Sequence, residues 1–578
     1  VLFRSITVEL KNVLIADSLF DVYKTPVLHA RSIYLKSNFW KLLALNIDVR
    51  RLTIDSAGMR LFTCANGYSN DYIFKNLSSK KDTTEIKSEQ KSNTAFNIER
   101  VELKNVSVRI NDSIHTKYIG FDFKSVAIKL NRSDSILDVM LNGNIFMEGL
   151  TFKQRKGTFL NKQELYLSTH LAINAGQNRI EILPSKLNVH KAKFDLSGYI
   201  RTGEAGELKL VLHSDAVLLE DTKAILTNRI YSKLAKFSFA GPLFTDFELR
   251  TPLKSAGKDP YITVKAKADN ISTNLSGFII DSVSFDGQFK NFTDSLSEPD
   301  DVNSVITFNN FKGNASGLKL KGTVQVSDFS NTIVAVKVSG NANLHALQGL
   351  VDENSIELRK GVFNMNIDFK ANVSNLYDSI NDKTNGRVIG TIGLKDGIIN
   401  YKPKNLLLTD VNASISGDQT GMHINSLKLK YPGSDLSVKG EVSKMVAFFI
   451  STKPVLNVEA SIESVNMNLE PLLSESKNQA HVASASKNKQ KLEQTVSKTI
   501  NRILMSTAVD ASMKIDHAYY HKFNAYNASG KISIHKGKAA ISDFNFEHAR
   551  GKVKYNASLN KIKTGFAVSF KATASNIN

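Results

Sequence analysis

Apolar and polar residues alternate along most of the chain, and the alternation breaks in a repeated way. Ile6, Val8 and Leu10 keep the beat, Lys11 and Asn12 interrupt it, and Val13 and Ile15 resume it. The hexapeptide Val8–Val13 returns unchanged at Val101–Val106, where Val106, Val108 and Ile110 resume after the two polar residues. A looser third copy uses Ile47 and Val49, then Leu52 and Ile54. Period-two alternation predicts strands with one apolar face. Recurrence predicts one structural device used many times.

A second pattern, apolar-x-apolar-x-Gly-x-apolar, is commoner. It occurs at Val139–Ile145, Phe194–Ile200, Leu318–Val324 and Leu436–Val442, with looser copies at Val336–Ala342 and Tyr526–Ile532. The glycine shares a face with the apolar residues. A glycine inside a strand marks either a generic kink or a place where backbones approach closely as the sheet curls.

With strands recurring every 8–12 residues plus loops, the chain would hold about 35 to 40 of them. Side by side at about 4.8 Å they would form a sheet roughly 170 Å long. Helical signals are few. Leu226, Ile230 and Leu234 recur at four-residue spacing, with Thr222 as N-cap and Gly241 beyond the end. Phe39–Leu43, Leu344–Val351 and Met467–Leu473 are shorter candidates, and Lys489–Met505 has the strongest amphipathic pattern. Asn76–Thr94 and Ser474–Gln490 are polar and read as loops or disordered insertions. The expected organisation is an N-terminal region at 1–76, a polar linker at 77–95 and a repeated β-sheet at 96–473. A second linker at 474–490 and a helix plus final β segment at 491–578 complete it.

Composition narrows the picture. The 578 residues are too many for one ordinary core, and 42% hydrophobic content is that of a folded chain. The net charge of +20 could draw the protein to anionic surfaces. The lysines are nevertheless spread along strands, as in Leu318-Lys319-Leu320-Lys321 and Leu427-Lys428-Leu429-Lys430, and read first as the wet face of a sheet. Nucleic-acid binding, which needs clustered basic residues among aromatics, is not expected. No stretch reaches the roughly 20 apolar residues of a membrane-spanning helix. The chain opens at Val1 inside a strand-like run and stops at Asn578 soon after another, so both ends are read as cut.

Catalytic chemistry is not evident. His517 and His521 are four apart, a zinc spacing on a helix but not in the strand-like sequence around them. They read as surface or aromatic-packing histidines. Cys64 is the single cysteine, precedes a turn and has no identifiable base. No phosphate-binding glycine loop is present. Trp40, the single tryptophan, reads as core or as an interfacial anchor. No enzyme activity, metal or cofactor is expected.

The order of motifs carries a resemblance. Leu10-Lys-Asn-Val-x-Ile-Ala-Asp-Ser-Leu is followed by Pro26-Val-Leu-His-Ala-Arg-Ser-Ile-Tyr-Leu, Phe39-Trp-Lys-Leu-Leu, Ile47-Asp-Val-Arg-Arg-Leu-Thr-Ile-Asp, Met59-Arg-Leu-Phe-Thr and Gly67-Tyr-Ser-Asn-Asp-Tyr. Gly390-Thr-Ile-Gly-Leu-Lys-Asp-Gly-Ile-Ile-Asn-Tyr, Leu406-Leu-Leu-Thr-Asp-Val-Asn-Ala-Ser-Ile and Gly440-Glu-Val follow later. The chain resembles AsmA-family proteins of the Bacteroidetes type, relatives of bridge-like lipid-transfer proteins. The resemblance implies a periplasmic body on an inner-membrane helix, carrying phospholipid or another acyl lipid towards the outer membrane. It also implies contact with outer-membrane components, since older descriptions give the family a part in outer-membrane protein assembly.

The expected fold is mainly β: a long curled antiparallel sheet, a repeating taco-like β-groove, with a few short helices. Candidate groove residues are Val139, Leu141, Leu196, Leu318, Leu320, Leu436 and Val438. The competing reading makes them a closed core. Rival functions are an assembly factor acting through sheet edges and a β-rich surface adhesin.

Overall fold

The computed structural model describes residues 5–38, 49–70, 72, 98–133, 135–203, 206–253, 259–275, 278–294, 296–378, 383–443, 456–473, 507–535, 538–562 and 565–576. The chain forms one long mixed sheet of 28 strands that is not closed, with a few short helices. It divides into two compact units, residues 1–268 with 287–305, and residues 269–286 with 306–578.

The first unit begins with β1 (Ser5–Ile15), β2 (Leu28–Asn38), β3 (Val49–Thr63), β4 (Arg100–Asp112), β5 (Lys117–Arg132) and β6 (Ile136–Thr151). It continues through β7 (Gln163–Asn174), β8 (Arg179–Val189), β9 (Ala192–Arg201), β10 (Glu207–Leu218), β11 (Phe239–Ala240) and β12 (Pro242–Pro252). The strands β13 (Tyr261–Leu275) and β14 (Phe278–Lys290) each contribute residues to both units.

The second unit holds β15 (Val305–Ala315), β16 (Leu318–Ser327), β17 (Ile333–Asn343) and β18 (Ile356–Asn372). The pair β19 (Tyr377–Asp378) and β20 (Lys383–Thr384) forms a separate ribbon. Then come β21 (Arg387–Tyr401), β22 (Leu406–Gly417), β23 (Gly421–Tyr431), β24 (Ser434–Ser443) and β25 (Leu456–Asn468). Last are β26 (Thr507–Tyr520), β27 (Phe523–His535), β28 (Lys538–His548), β29 (Gly551–Ile562) and β30 (Gly565–Ser575). The strands are fewer than spacing predicts because they are long; β18 alone has 17 residues.

Most neighbours pair antiparallel, but β3 with β4 and β25 with β26 pair parallel. A parallel joint needs a long connection that crosses back, whereas an antiparallel one needs only a hairpin. The chain between β3 and β4 includes the polar segment 77–95, and that between β25 and β26 includes 474–490. Both segments lie outside the described residues, as do Phe39–Leu43, Trp40 and Lys489–Met505.

The repeated hexapeptide is a left-handed break that neighbouring strands share, with no shift of register between them. Asn12 and Asn105 adopt left-handed backbone, φ 51° and 52°. Each is skipped in the ladder: Lys11 pairs with Ser32 and Val13 with Ala30, while Lys104 pairs with Ser125 and Val106 with Phe123. The left-handed residue turns the following side chain over, so Leu103 and Val106, three apart, enter one hydrophobic cluster with Val13, Ala30 and Ala57. Asparagine tolerates this backbone because its side chain bonds locally, whereas most residues clash there. The looser third copy is displaced in the structure: the equivalent left-handed break is Ile54-Asp55-Ser56-Ala57, with Ser56 at φ 53°. The same apolar–x–Asn/Asp/Ser–apolar pattern recurs around Asn270, Ser282, Asn310, Asp396, Asp410, Asn527 and Asp543, all with positive φ inside strands. One local sequence thus keeps the apolar residues on one face of long strands.

Helices are short. The N-terminal α1 spans Phe20–Tyr23, α2 spans Asn228–Leu234 and α3 spans Glu470–Leu473. The helix expected near Leu226 starts later than its spacing implied, because Thr227, not Thr222, caps it by accepting from the Ile230 N–H. Thr222 lies in the preceding 3-10 turn, Asp221–Ala224. Leu344–Leu350 is a 3-10 segment capped by Asn343. Met467 belongs to β25, so the helix expected over Met467–Leu473 shrinks to its last turn.

Candidate functional site

The register converts alternation along strands into rows across them. In the second unit one row starts at Leu320 on β16 and passes through Gly340, Met365, Ile392, Ile415, Ile424 and Gly440. It continues through Ala460, Ala511, Ile532, Ile541 and Ala557 to Phe570 on β30. A neighbouring row on the same face joins Gly322, Val338, Ile367, Gly390, Gly417, Met422 and Val442. It then runs through Val458, Val509, Ile534, Ala539 and Leu559 to Val568. Every position in both is apolar or glycine. At about 4.8 Å per strand each row follows the sheet for roughly 58 Å.

The row between them points the other way. It contains Lys321, Ser339, Asn366, Thr391, Ser416, His423, Glu441, Glu459 and Asp510. Among the described residues, the face with the apolar rows is partly covered. The 3-10 segment Leu344–Leu350 packs Leu344 and Leu347 against Leu358 and Ala342, near one end of the strands. Beyond it Ile367 and Ile534 remain exposed, and Val568 and Phe570 on β30 are 69% and 73% exposed.

The first unit repeats the arrangement. Val13, Ala30, Ala57, Val106, Phe123, Ile145, Leu165, Val189 and Ala192 form a row just past the left-handed breaks. Most of it is buried, Val189 completely, and Leu160, Ala224 and Ile225 help cover it. The row through Leu130, Val139, Leu171, Ile182, Gly198, Leu210, Leu249 and Ile262 lies farther from that cover.

The predicted residues fall on these faces. Val139 and Leu141 on β6 and Leu196 on β9 share the apolar face of the first unit: Gly198, two residues from Leu196, lies in the Val139 row. Leu318 and Leu320 on β16 and Leu436 and Val438 on β24 share that of the second, since the Leu320 row crosses β24 at Gly440. All of them are half-buried and none is sealed inside. Leu141, Leu318 and Leu436 touch the edges of buried clusters.

The glycines of the second pattern are where neighbouring backbone comes close. A Cβ at Gly322 would lie 2.0 Å from the Lys337 carbonyl oxygen, and one at Gly440 2.2 Å from that of Glu459. Only glycine admits such an approach.

Titratable groups serve the scaffold. Arg109 joins Asp122 at 2.7 Å and also Glu148, which accepts from the Tyr118 hydroxyl at 2.6 Å. Burial, reinforced by that bond to Glu148, pushes the Tyr118 phenol up to about 12. His517 stacks on Tyr526 and bonds Asn524, as an aromatic-packing histidine does. Among the described residues no cluster of His, Cys, Asp or Glu could hold a metal.

Asp418 pins the β22–β23 turn. Its carboxylate accepts from the Thr420 hydroxyl at 2.6 Å, the Thr420 N–H at 2.8 Å and the Gly421 N–H at 3.2 Å, and lies 3.2 Å from His423 Nε2. These bonds, led by the Thr420 hydroxyl, lower its pKa from 3.8 to about 2. A lowered carboxylate pKa stabilises the fold above the unfolded value, and that contribution is lost as pH falls from about 4 through about 2. Asp418→Ala should cost about 1 kcal/mol at neutral pH and lose that penalty below pH 2. Denaturation at both pH values checks it.

Sequence reasoning missed most members of the apolar rows, such as Met365, Ile392, Ile415 and Ile424, because it followed the full apolar-x-apolar-x-Gly-x-apolar pattern, which these strands lack although Gly390 and Gly417 stand in the Gly322 row. Alternation within each strand was the available signal. No family model, curated protein or solved structure matches the chain.

Proposed function

We propose that this chain is a non-enzymatic AsmA-like protein that binds phospholipid, or another acyl lipid, along the apolar face of its sheet and conducts it for outer-membrane biogenesis. The observation that carries this reading is the pair of uninterrupted apolar rows from β16 to β30, on a face that, among the described residues, the 3-10 segment Leu344–Leu350 covers near one end. Each methylene removed from water there contributes about 0.8 kcal/mol. Binding therefore needs no specific polar contact, and a chain can move from rung to rung between equivalent positions. The resemblance supports a periplasmic place at the inner membrane. Mass spectrometry of the purified protein should find co-purifying acyl lipid; finding none would sink the proposal.

A second reading, an assembly factor that pairs with outer-membrane proteins through a sheet edge, is favoured by β30. Among the described residues this strand pairs only with β29, and it exposes Val568 and Phe570. Crosslinking in cells from β30 would then trap protein strands, and from Leu320 would trap no acyl chain.

A further inference from the structure

On the polar face of the first unit four cations stand side by side. Lys36 on β2 pairs with Arg51 on β3, Arg51 with Arg100 on β4, and Arg100 with Lys129 on β5. They line a cavity of about 650 Å3 at the end of these strands, together with Arg50. That size suits a small-molecule site, for which roughly 300–1,000 Å3 is usual.

Like charges directly opposite on neighbouring strands repel, and a sheet ordinarily avoids them. The local carboxylates do little to relieve this row. Glu99 lies 3.9 Å from Arg50, and Asp138 is engaged by His170 at 3.0 Å. Glu102 approaches Arg100 Nε to 3.0 Å, yet that buried nitrogen makes no hydrogen bond. Among the described residues Lys36, Arg51 and Lys129 have no acidic partner within ion-pair distance. A row of cations in which Arg100 alone has an acidic partner, beside a cavity and with the buried Arg100 Nε–H making no hydrogen bond, is built for an anion. Arginine forks and lysine point charges are the side chains that take phosphate.

We propose that the Lys36–Arg51–Arg100–Lys129 row binds the phosphate of an anionic phospholipid headgroup. The site itself stands on the charges and the cavity; only the lipid as the source of the phosphate rests on the function proposed above. The row seats the chain on an anionic membrane surface, because each cation near such a surface adds to the attraction.

The test uses the full chain at about 0.15 M salt, where charges farther apart than about 8 Å are screened. Vesicles of phosphatidylglycerol, vesicles of phosphatidylcholine, and inorganic phosphate are the probes. The wild type should float with phosphatidylglycerol and not with phosphatidylcholine. Lys36→Gln/Arg51→Gln/Lys129→Gln should weaken that binding at least about tenfold. Lys319→Gln/Lys321→Gln/Lys439→Gln, with the same change in net charge, should leave it within about twofold. Inorganic phosphate should raise the melting temperature of the wild type and not of the first variant.

In phosphate-free buffer the first variant should be at least as stable as the wild type, since repulsion is relieved; a merely structural row would give a less stable variant and overturn the site. Equal loss of vesicle binding in both variants also overturns it, leaving only general charge. Stabilisation by phosphate without vesicle binding overturns the lipid source and assigns the site to soluble phosphate esters. Co-purified acyl lipid, measured in the same preparations, reports on the apolar rows separately and should survive in the first variant.

Discussion

Leu320→Asp/Leu436→Asp/Val438→Asp should purify with at least about tenfold less acyl lipid than the wild type, while its far-ultraviolet circular dichroism stays that of a β-sheet. The three positions share one half-buried face of the second unit. A carboxylate there interrupts the apolar rows with a group that must keep its water, and the cost of stripping that water falls on any acyl chain lying across it. The backbone ladder needs no particular side chain at these positions, so the strands still pair. The matching control makes the same change in net charge on the other face, as Ser339→Asp/Asn366→Asp/Thr391→Asp. It should retain its lipid. Equal loss in both variants would mean that added negative charge, not the apolar face, decides occupancy.

Gly440→Val should lower the denaturation midpoint by the equivalent of about 2–3 kcal/mol, as overpacking of a fitted interior does. A side chain at this place would collide with the Glu459 carbonyl oxygen and with the Ala460 Cα, 2.9 Å away. Neither is the yielding tip of a flexible side chain; both are backbone of β25. To admit valine, β24 and β25 must separate or slide, and each choice breaks ladder hydrogen bonds between them. Gly349→Val is the comparison, since nothing lies within 4 Å of a Cβ there. It should change stability by less than about 1 kcal/mol. Equal effects at the two positions would show that the glycine of the repeated pattern is a strand kink with no special packing role.

Much of the β character was legible because alternation reports directly on which face a residue takes. Val139, Leu141 and Leu196, and separately Leu318, Leu320, Leu436 and Val438, share faces as their spacing required. The glycine pattern was legible too, though its meaning was not: a kink and a close approach look alike until the neighbouring strand is known. The hexapeptide announced a device without disclosing it. Two polar residues between apolar ones can be a loop or a break inside a strand, and the unshifted pairing on both sides of the left-handed Asn12 and Asn105 decides for the break.

Other features escaped because they join residues far apart in the chain. Thr222 and Thr227 are equally good caps in composition, and only the N–H that arrives distinguishes them. Lys36, Arg51, Arg100 and Lys129 each look like one more exposed strand cation. They become a row when parallel pairing sets β4 beside β3, a pairing that the intervening polar segment permits but does not specify.

By itself the sequence determined that this protein is a sheet of long strands, apolar on one side, with asparagine- and glycine-marked interruptions. Those are properties of neighbouring residues, governed by backbone sterics and a period of two. Only the tertiary structure decided the register, the two parallel joints, the unbroken rows from β16 to β30 and the line of cations. A strand's pattern states which way each side chain points, but which residue stands opposite depends on hydrogen bonds to another strand.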